Sequence, residues 1–234
     1  MEIAQRRVHA ELDSTMAEAA RVSAELAAPT WILALRQTAA RGRRGRSWQH
    51  PEGNFAATLV MPSPPPAEAA LRSFVAALAL RDTLEALGVS DLALKWPNDV
   101  LVGGAKVAGI LLETLPGAKL AVGIGINLRH APDPGLLEPH ALPPRALGVE
   151  AAPEEVLDHL APAFAHWEAR LAREGFGPVR EAWLERAARL GEPIRARTAQ
   201  TERQGIFETI DISGQLILST PEGRLSLPAA DVYF

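Results

Sequence analysis

The chain has 234 residues, 47% of them hydrophobic and 22% charged, with a formal net charge of −4. That composition excludes a disordered or collagen-like chain and supplies enough apolar residues for a core that needs no covalent staples. Cysteine is absent, which excludes disulfides, Cys-ligated zinc, iron–sulfur clusters and thiol catalysis, and the acidic balance argues against bulk nucleic-acid binding.

The first residues are charged and lack the apolar region of a secretion signal. No run of 18 apolar residues follows, so a cytoplasmic chain with no membrane span is expected. Residues 14–27 read as a helix with Thr15 as N-cap and Glu18 at capping-box spacing. Trp31 to Thr38 reads as a strand. Ala39 to Gly53, rich in Arg and Gly, reads as a surface loop, and Asn54 to Met61 as a second strand. After Pro64-Pro65-Pro66, a long helix is expected over Ala67 to Leu87, stopped by Gly88. Three strands follow at Leu92–Trp96, Val107–Thr114 and Leu120–Leu128, with a hairpin turn at Pro116-Gly117. Residues 131–144 read as irregular. Pro153 to Arg173 and Pro178 to Leu190 read as helices, the first interrupted or kinked by Pro162. Beyond Gly191 short β-type runs alternate with Ser213-Gly214 and Glu222-Gly223, the texture of a small barrel.

Five segments carry chemistry. Arg41-Gly42-Arg43-Arg44-Gly45-Arg46, before Ser47-Trp48, places four guanidiniums in six residues. Guanidinium forks match phosphate or carboxylate oxygens, so the segment reads as a polyanion clamp, a solvated loop or an RNA-binding patch. Without an anionic partner its mutual repulsion favours a mobile segment. Lys95-Trp96-Pro97-Asn98-Asp99 closes a strand, placing Asp99 either in a site or in a plain turn. Lys106 precedes a buried strand beside Gly109, either contacting an anionic ligand or snorkelling to water. In Val122 to Leu128, strand period two places Gly123, Gly125 and Asn127 on one face and Val122, Ile124, Ile126 and Leu128 on the other. The bare face suits a flat ligand or a closely packed helix. Asp13-Ser14-Thr15 at a helix start could bind a carbonyl or carboxylate, or simply cap. The six histidines show no metal spacing.

In this order the segments resemble the biotin protein ligases, also called biotin–acetyl-CoA-carboxylase ligases. The likeness rests on Asp13 to Thr15, Gln37 to Trp48 (QTAARGRRGRSW), Lys95 to Asp99 (KWPND), Lys106 to Leu111 (KVAGIL) and Gly123 to Asn127 (GIGIN). It implies an α/β fold: a mixed sheet flanked by helices, like the catalytic domain of class II aminoacyl-tRNA synthetases, over residues 1–190. A small C-terminal SH3-like β-barrel would occupy residues 191–234. It also implies ATP-dependent attachment of biotin, through biotinyl-5′-AMP, to a lysine of a biotin carboxyl carrier protein. Mg2+ would accompany the ATP.

By the same resemblance Ser14, Thr15 and Gln37 hold the biotin rings. Arg41, Gly42 and Arg43 lie in a loop over biotin and the phosphates. Lys106, beside Gly109, contacts the carboxylate and α-phosphate. Trp48 packs near the adenine, Asn127 assists the nucleotide or its metal, and Gly123 and Gly125 give the bound ligand a bare strand face, Gly125 under the biotin. Asp99 orients the incoming lysine; Arg43, Lys106 and Asp99 form the catalytic set. Met16 and Ala40 depart from residues usual in the family, Asn and Gly. Because the motifs begin at residue 13, a monofunctional ligase without an N-terminal DNA-binding domain is expected, with a homodimer as a possible assembly. The alternatives are a lipoate ligase or lipoyl transferase of the same superfamily and, from a different class, a nucleic-acid-binding module.

Overall fold

A computed structural model describes residues 4–46, 48–133, 135, 142–198 and 201–234. Ser47, His140 and half of the stretch 131–144, expected to be irregular, lie outside these. The main sheet has seven strands: β1 (Gln5–Leu12), β2 (Thr30–Gln37), β3 (Phe55–Pro62), β4 (Leu92–Lys95), β5 (Asp99–Val102), β6 (Ala105–Leu115) and β7 (Lys119–Ile126). Their spatial order is β1-β2-β3-β7-β6-β5-β4. β1 pairs parallel with β2 and every other neighbour is antiparallel, so the sheet is mixed. The turn at Pro116-Gly117 joins β6 to β7 as the sequence predicts, with Gly117 and Ala118 both at positive φ.

Strand alternation sorts the two faces. Phe55, Ala57 and Leu59 of β3, Val122, Ile124 and Ile126 of β7, and Ala108 and Ile110 of β6 face one large core. That core is completed by α3 (Arg72–Ala86), α4 (Pro153–Glu174) and α5 (Phe176–Leu184). α3 is apolar nearly all round because the sheet and both other helices enclose it. The opposite face is covered at one end by α1 (Thr15–Val22), whose Met16 and Ala19 pack on Ile32, Val60 and Ala121. The rest of that face is open.

Several elements differ from the sequence reading. The cap of α1 is Ser14, whose hydroxyl accepts the Met16 N–H at 3.2 Å, while Thr15 is already helical. The long helix divides into a turn, α2 (Pro66–Ala69), and α3. α4 continues through Pro162: the proline is on the solvent side, where the carbonyl it leaves free can be hydrated, while Leu160, Phe164 and Trp167 anchor the helix. β1 and β5 were not expected, β1 because it is a polar edge strand and β5 because it is only four residues long.

The C-terminal residues form a second, antiparallel sheet of β8 (Pro193–Arg197), β9 (Glu202–Ile210), β10 (Leu216–Thr220), β11 (Gly223–Leu227) and β12 (Asp231–Tyr233), ordered β11-β10-β9-β8-β12. Its Ile194, Phe207, Leu216 and Leu218 continue the large core without a break. Trp96 Nε1 donates to the Gly214 carbonyl at 3.1 Å, and the β9–β10 turn sits on Phe74 and Leu71. The segment after α5 lies along β4: Leu94 N–H donates to Arg186 O and Ala188 N–H to Leu94 O.

Candidate functional site

On the open face, strand register builds a floor of small residues. Asp99, Gly109, Gly125 and Ala56 are successive cross-strand partners over β5, β6, β7 and β3. One pleat along, Leu111, Gly123 and Thr58 form the next row. Above lies a cavity of about 630 Å3, and every site residue named from the sequence lines it. The competing readings of the glycines divide between them. A Cβ on Gly123 would meet Met16 Sδ of α1 at 2.7 Å, a close helix approach. Cβ atoms on Gly109 and Gly125 would meet the Trp48 indole, at 3.3 and 2.8 Å. The indole therefore lies across the two paired glycines, with Lys106 Nζ 5.5 Å from its ring centre.

One end of the cavity is neutral. Gln37 Oε1 accepts the Thr15 N–H at 2.7 Å, which leaves the Gln37 Nε2 donors for the cavity. Thr58 Oγ1 donates to Thr15 Oγ1 at 2.8 Å, so the Thr15 hydroxyl proton is free to point elsewhere. His50 fixes the end of β2: its Nδ1 accepts the Gln37 N–H at 3.1 Å, and Nε2 lies 3.0 Å from the Asn54 carbonyl. That pattern needs a neutral ring protonated on Nε2. Burial lowers the His50 pKa, against the Asn54 hydrogen bond, which raises it.

The other end is charged. Asp99, opposite Lys95 in the β4–β5 ladder, lies 3.6 Å from Lys95 Nζ and 2.7 Å from Lys106 Nζ. Burial pushes the Asp99 carboxyl up, but Lys106, Lys95 and Arg43 outweigh it and hold it below the usual range. Lys95 is itself buried, and that burial lowers its pKa against the attraction of Asp99. Arg43 donates to Asn98 Oδ1 at 3.2 Å; Asn98 is locked in turn by its Nδ2 on the Ile110 carbonyl at 2.8 Å. Asn127 is 1% exposed, lines the cavity, and its Oδ1 has no hydrogen-bond partner among the described residues.

The arginine loop closes on itself: Gly42 N–H donates to Arg46 O and Trp48 N–H to Ala40 O. Arg44 and Gly45, at φ 56° and 72°, reverse the chain between them. The expectation that these guanidiniums lack a counter-charge without a ligand is overturned by Asp231 of β12. Arg44 and Arg46 reach Asp231 Oδ2 at 2.7 and 2.8 Å, and Arg43 lies 3.8 Å from Oδ1. Burial raises the Asp231 pKa, but Arg46, Arg44 and Arg43 more than offset that and hold it below the usual range.

Asp231, Thr58 and Lys95 are the site residues that sequence reasoning missed. Thr58 is placed only by the register of β3 against β7, and Lys95 only by its pairing with Asp99 in a hairpin whose second strand is very short. Asp231 carried no local signal. Among the described residues no group of three or more His, Asp or Glu side chains gathers as a metal site, and no helix is long and apolar enough to cross a membrane.

Comparison with known proteins bears on this geometry. Residues 8–129 match the biotin/lipoate A/B protein ligase family, and residues 190–234 match the biotin protein ligase C terminal domain. A biotin–[acetyl-CoA-carboxylase] ligase of Paracoccus denitrificans is 56% identical, over 96% of this chain and 98% of its own length. The bifunctional ligase/repressor BirA of Bacillus spizizenii is 32% identical over 87% of this chain, which spans 65% of that protein. The structure of the Aquifex aeolicus biotin protein ligase in complex with biotin and ATP superposes with a TM-score of 0.85, at 25% identity and 97% coverage of each chain.

Proposed function

The chain belongs to the biotin/lipoate A/B protein ligase family, and from that premise we propose which of its residues perform each step. It is a biotin–[acetyl-CoA-carboxylase] ligase that binds biotin and ATP and works through an adenylate. The C-terminal match and the Paracoccus relative favour biotin over lipoate. The observation that carries the residue assignment is one cavity with a neutral hydrogen-bonding end and a cationic end on a floor of glycines. Thr58 and Asp99 lie on strands three steps apart, about 14 Å at the usual strand spacing.

In this reading Thr15 and Gln37 offer donors to the biotin ureido carbonyl, with Ser14 closing that end. The valeryl chain runs over Gly123 and Gly125 towards Lys106. There the carboxylate oxygen attacks the α-phosphate of ATP, forming the P–O bond of biotinyl-5′-AMP and expelling pyrophosphate. Phosphoryl transfer asks the protein for positioning and positive charge. Lys106 and Arg43 supply both at the α-phosphate, with Arg41 and Gly42 of the loop above it. Trp48 gives the adenine an aromatic face beside Gly109. In the second step the neutral acceptor lysine amine attacks the anhydride carbonyl, the bond from that carbon to the phosphate oxygen breaks, AMP leaves, and the proton lost by nitrogen passes to the departing phosphate or to water. Asp99, held ionised by its lysines, is a poor proton acceptor. Its role is to orient the acceptor amine once Lys106 turns to the phosphate.

Mg2+ is part of the proposal. It is held mainly by substrate phosphates in such sites and needs few protein oxygens. The partnerless Asn127 Oδ1 is a hard donor that fits it or the nucleotide itself. We carry residues 1–190 as the catalytic domain and 191–234 as the SH3-like domain. The acceptor is a biotin carboxyl carrier protein, the location cytoplasmic and the assembly a homodimer, which sedimentation tests. Pyrophosphate release with ATP and either biotin or lipoate tests the reading. Release with biotin and none with lipoate is expected. Equal release with lipoate, or none with biotin, defeats it.

A further inference from the structure

We propose that Asp231 is a positioning residue for the adenylation step, the carboxylate with which the C-terminal sheet holds the arginine loop in register until an anionic substrate takes over its guanidiniums. Asp231 is 185 to 188 residues from its partners in sequence, is 8% exposed, and lines the substrate cavity together with Val232 and Tyr233. Its backbone belongs to β12, paired with Arg197 of β8, while its side chain points to the loop.

Docking of the second sheet does not require this contact. The Trp96–Gly214 hydrogen bond, the Arg180–Thr209 hydrogen bond at 2.8 Å and the continuous apolar core already fasten it. What Asp231 adds is one oxygen, Oδ2, that accepts from both Arg44 and Arg46, as a single phosphate oxygen could. Charge balance points the same way. Lys95, Lys106, Arg43, Arg44 and Arg46 surround two carboxylates, Asp99 and Asp231, so the cavity keeps an excess of positive charge that suits a polyphosphate. The guanidiniums thus exchange one oxyanion for another without being left unpaired.

The inference rests on the preceding reading only for the identity of the displacing anion. The test therefore has one arm without ligand and one with it. Hydrogen exchange over residues 39–48 of the ligand-free chain should rise about 5-fold or more in Asp231→Asn, while Asp231→Glu restores protection. Saturating biotin plus ATP should return the Asn variant to the wild-type rate. KM for ATP in pyrophosphate release should rise about 3–10-fold, with kcat changing less than KM. Wild-type exchange in ligand-free Asp231→Asn, or an ATP KM that is unchanged or falls, overturns the proposal. Should Asp231→Asn fail to fold, Arg44→Gln at an exposed loop position decides alone: it must also raise ligand-free exchange, and unchanged exchange overturns the proposal. Absence of biotin-dependent release in the wild type would defeat the substrate reading and leave the ligand-free arm intact.

Discussion

The two ends of the cavity are built by opposite means. The neutral end is short-range: Thr15, Gln37, His50 and Thr58 are linked by uncharged hydrogen bonds, and Ser14 caps α1 through the Met16 N–H. The charged end is assembled from four places, β4, β5, the start of β6 and the arginine loop, and is closed by a carboxylate from the second sheet. An uncharged network fixes geometry and is indifferent to salt. A cluster of ion pairs gains strength from burial and can trade partners, because each of its cations accepts a different oxyanion. Recognition of a neutral ring system belongs at the first end and phosphoryl chemistry at the second.

The sharpest way to separate the ends is Lys106→Met. It removes a cation beside Asp99 and the biotin carboxylate and should cost about 2–4 kcal/mol in the adenylation transition state, while the hydrogen bonds of the neutral end stay in place. Pyrophosphate release within a few-fold of wild type would remove Lys106 from that role. Gly125→Val strikes the floor between the ends. Its side chain enters the space of the Trp48 indole, and overpacking of about 1–3 kcal/mol should appear as lost ligand affinity and an altered Trp48 environment. Calorimetry and fluorescence that both match wild type would show that the indole moves aside freely. Thr58→Val takes one hydroxyl from the neutral end. The expected loss is about 1 kcal/mol of biotin affinity with ATP binding unchanged. An equal loss for both ligands would mean the ends are coupled.

The smallest effect is one of pH. The folded-state pKa of His50 is depressed below its unfolded value near 6.5, so the unfolded chain binds the extra proton first as pH falls. The stability His50 contributes is therefore fully present above about 6.5 and declines below it, as protonation costs Nδ1 its bond from Gln37. Melting temperature followed from pH 7.5 to 5 should fall, and fall less in His50→Gln. Parallel curves for the two proteins would exclude His50 as the source.

How far the sequence anticipates this arrangement depends on the range of each contact. The glycine face of β7, its apolar opposite face and the 116–117 turn follow from period two and turn chemistry, both local. The neutral end was half legible: Ser14, Thr15 and Gln37 stand in recognisable segments, whereas Thr58 is named only by the strand register. At the charged end Asp99 and Lys106 were legible as motif residues. Their mutual 2.7 Å contact, and Lys95 beside them, depend on a β4–β5 hairpin whose second strand is too short to read. Asp231 was invisible because its partners lie across the whole length of the chain. The loop was therefore expected to lack an anion that the protein itself provides.

The backbone laid along β4 has a consequence for how the main sheet meets other molecules. With Arg186, Ala187 and Ala188 occupying its outer side, β4 offers little hydrogen-bonding edge to a newcomer. At the far end β1 pairs only with β2 among the described strands, and its Val8 is exposed. A ribbon with one sticky end and one blunt end stops growing after a single addition. Edge-to-edge joining of this sheet is thus confined to its β1 side.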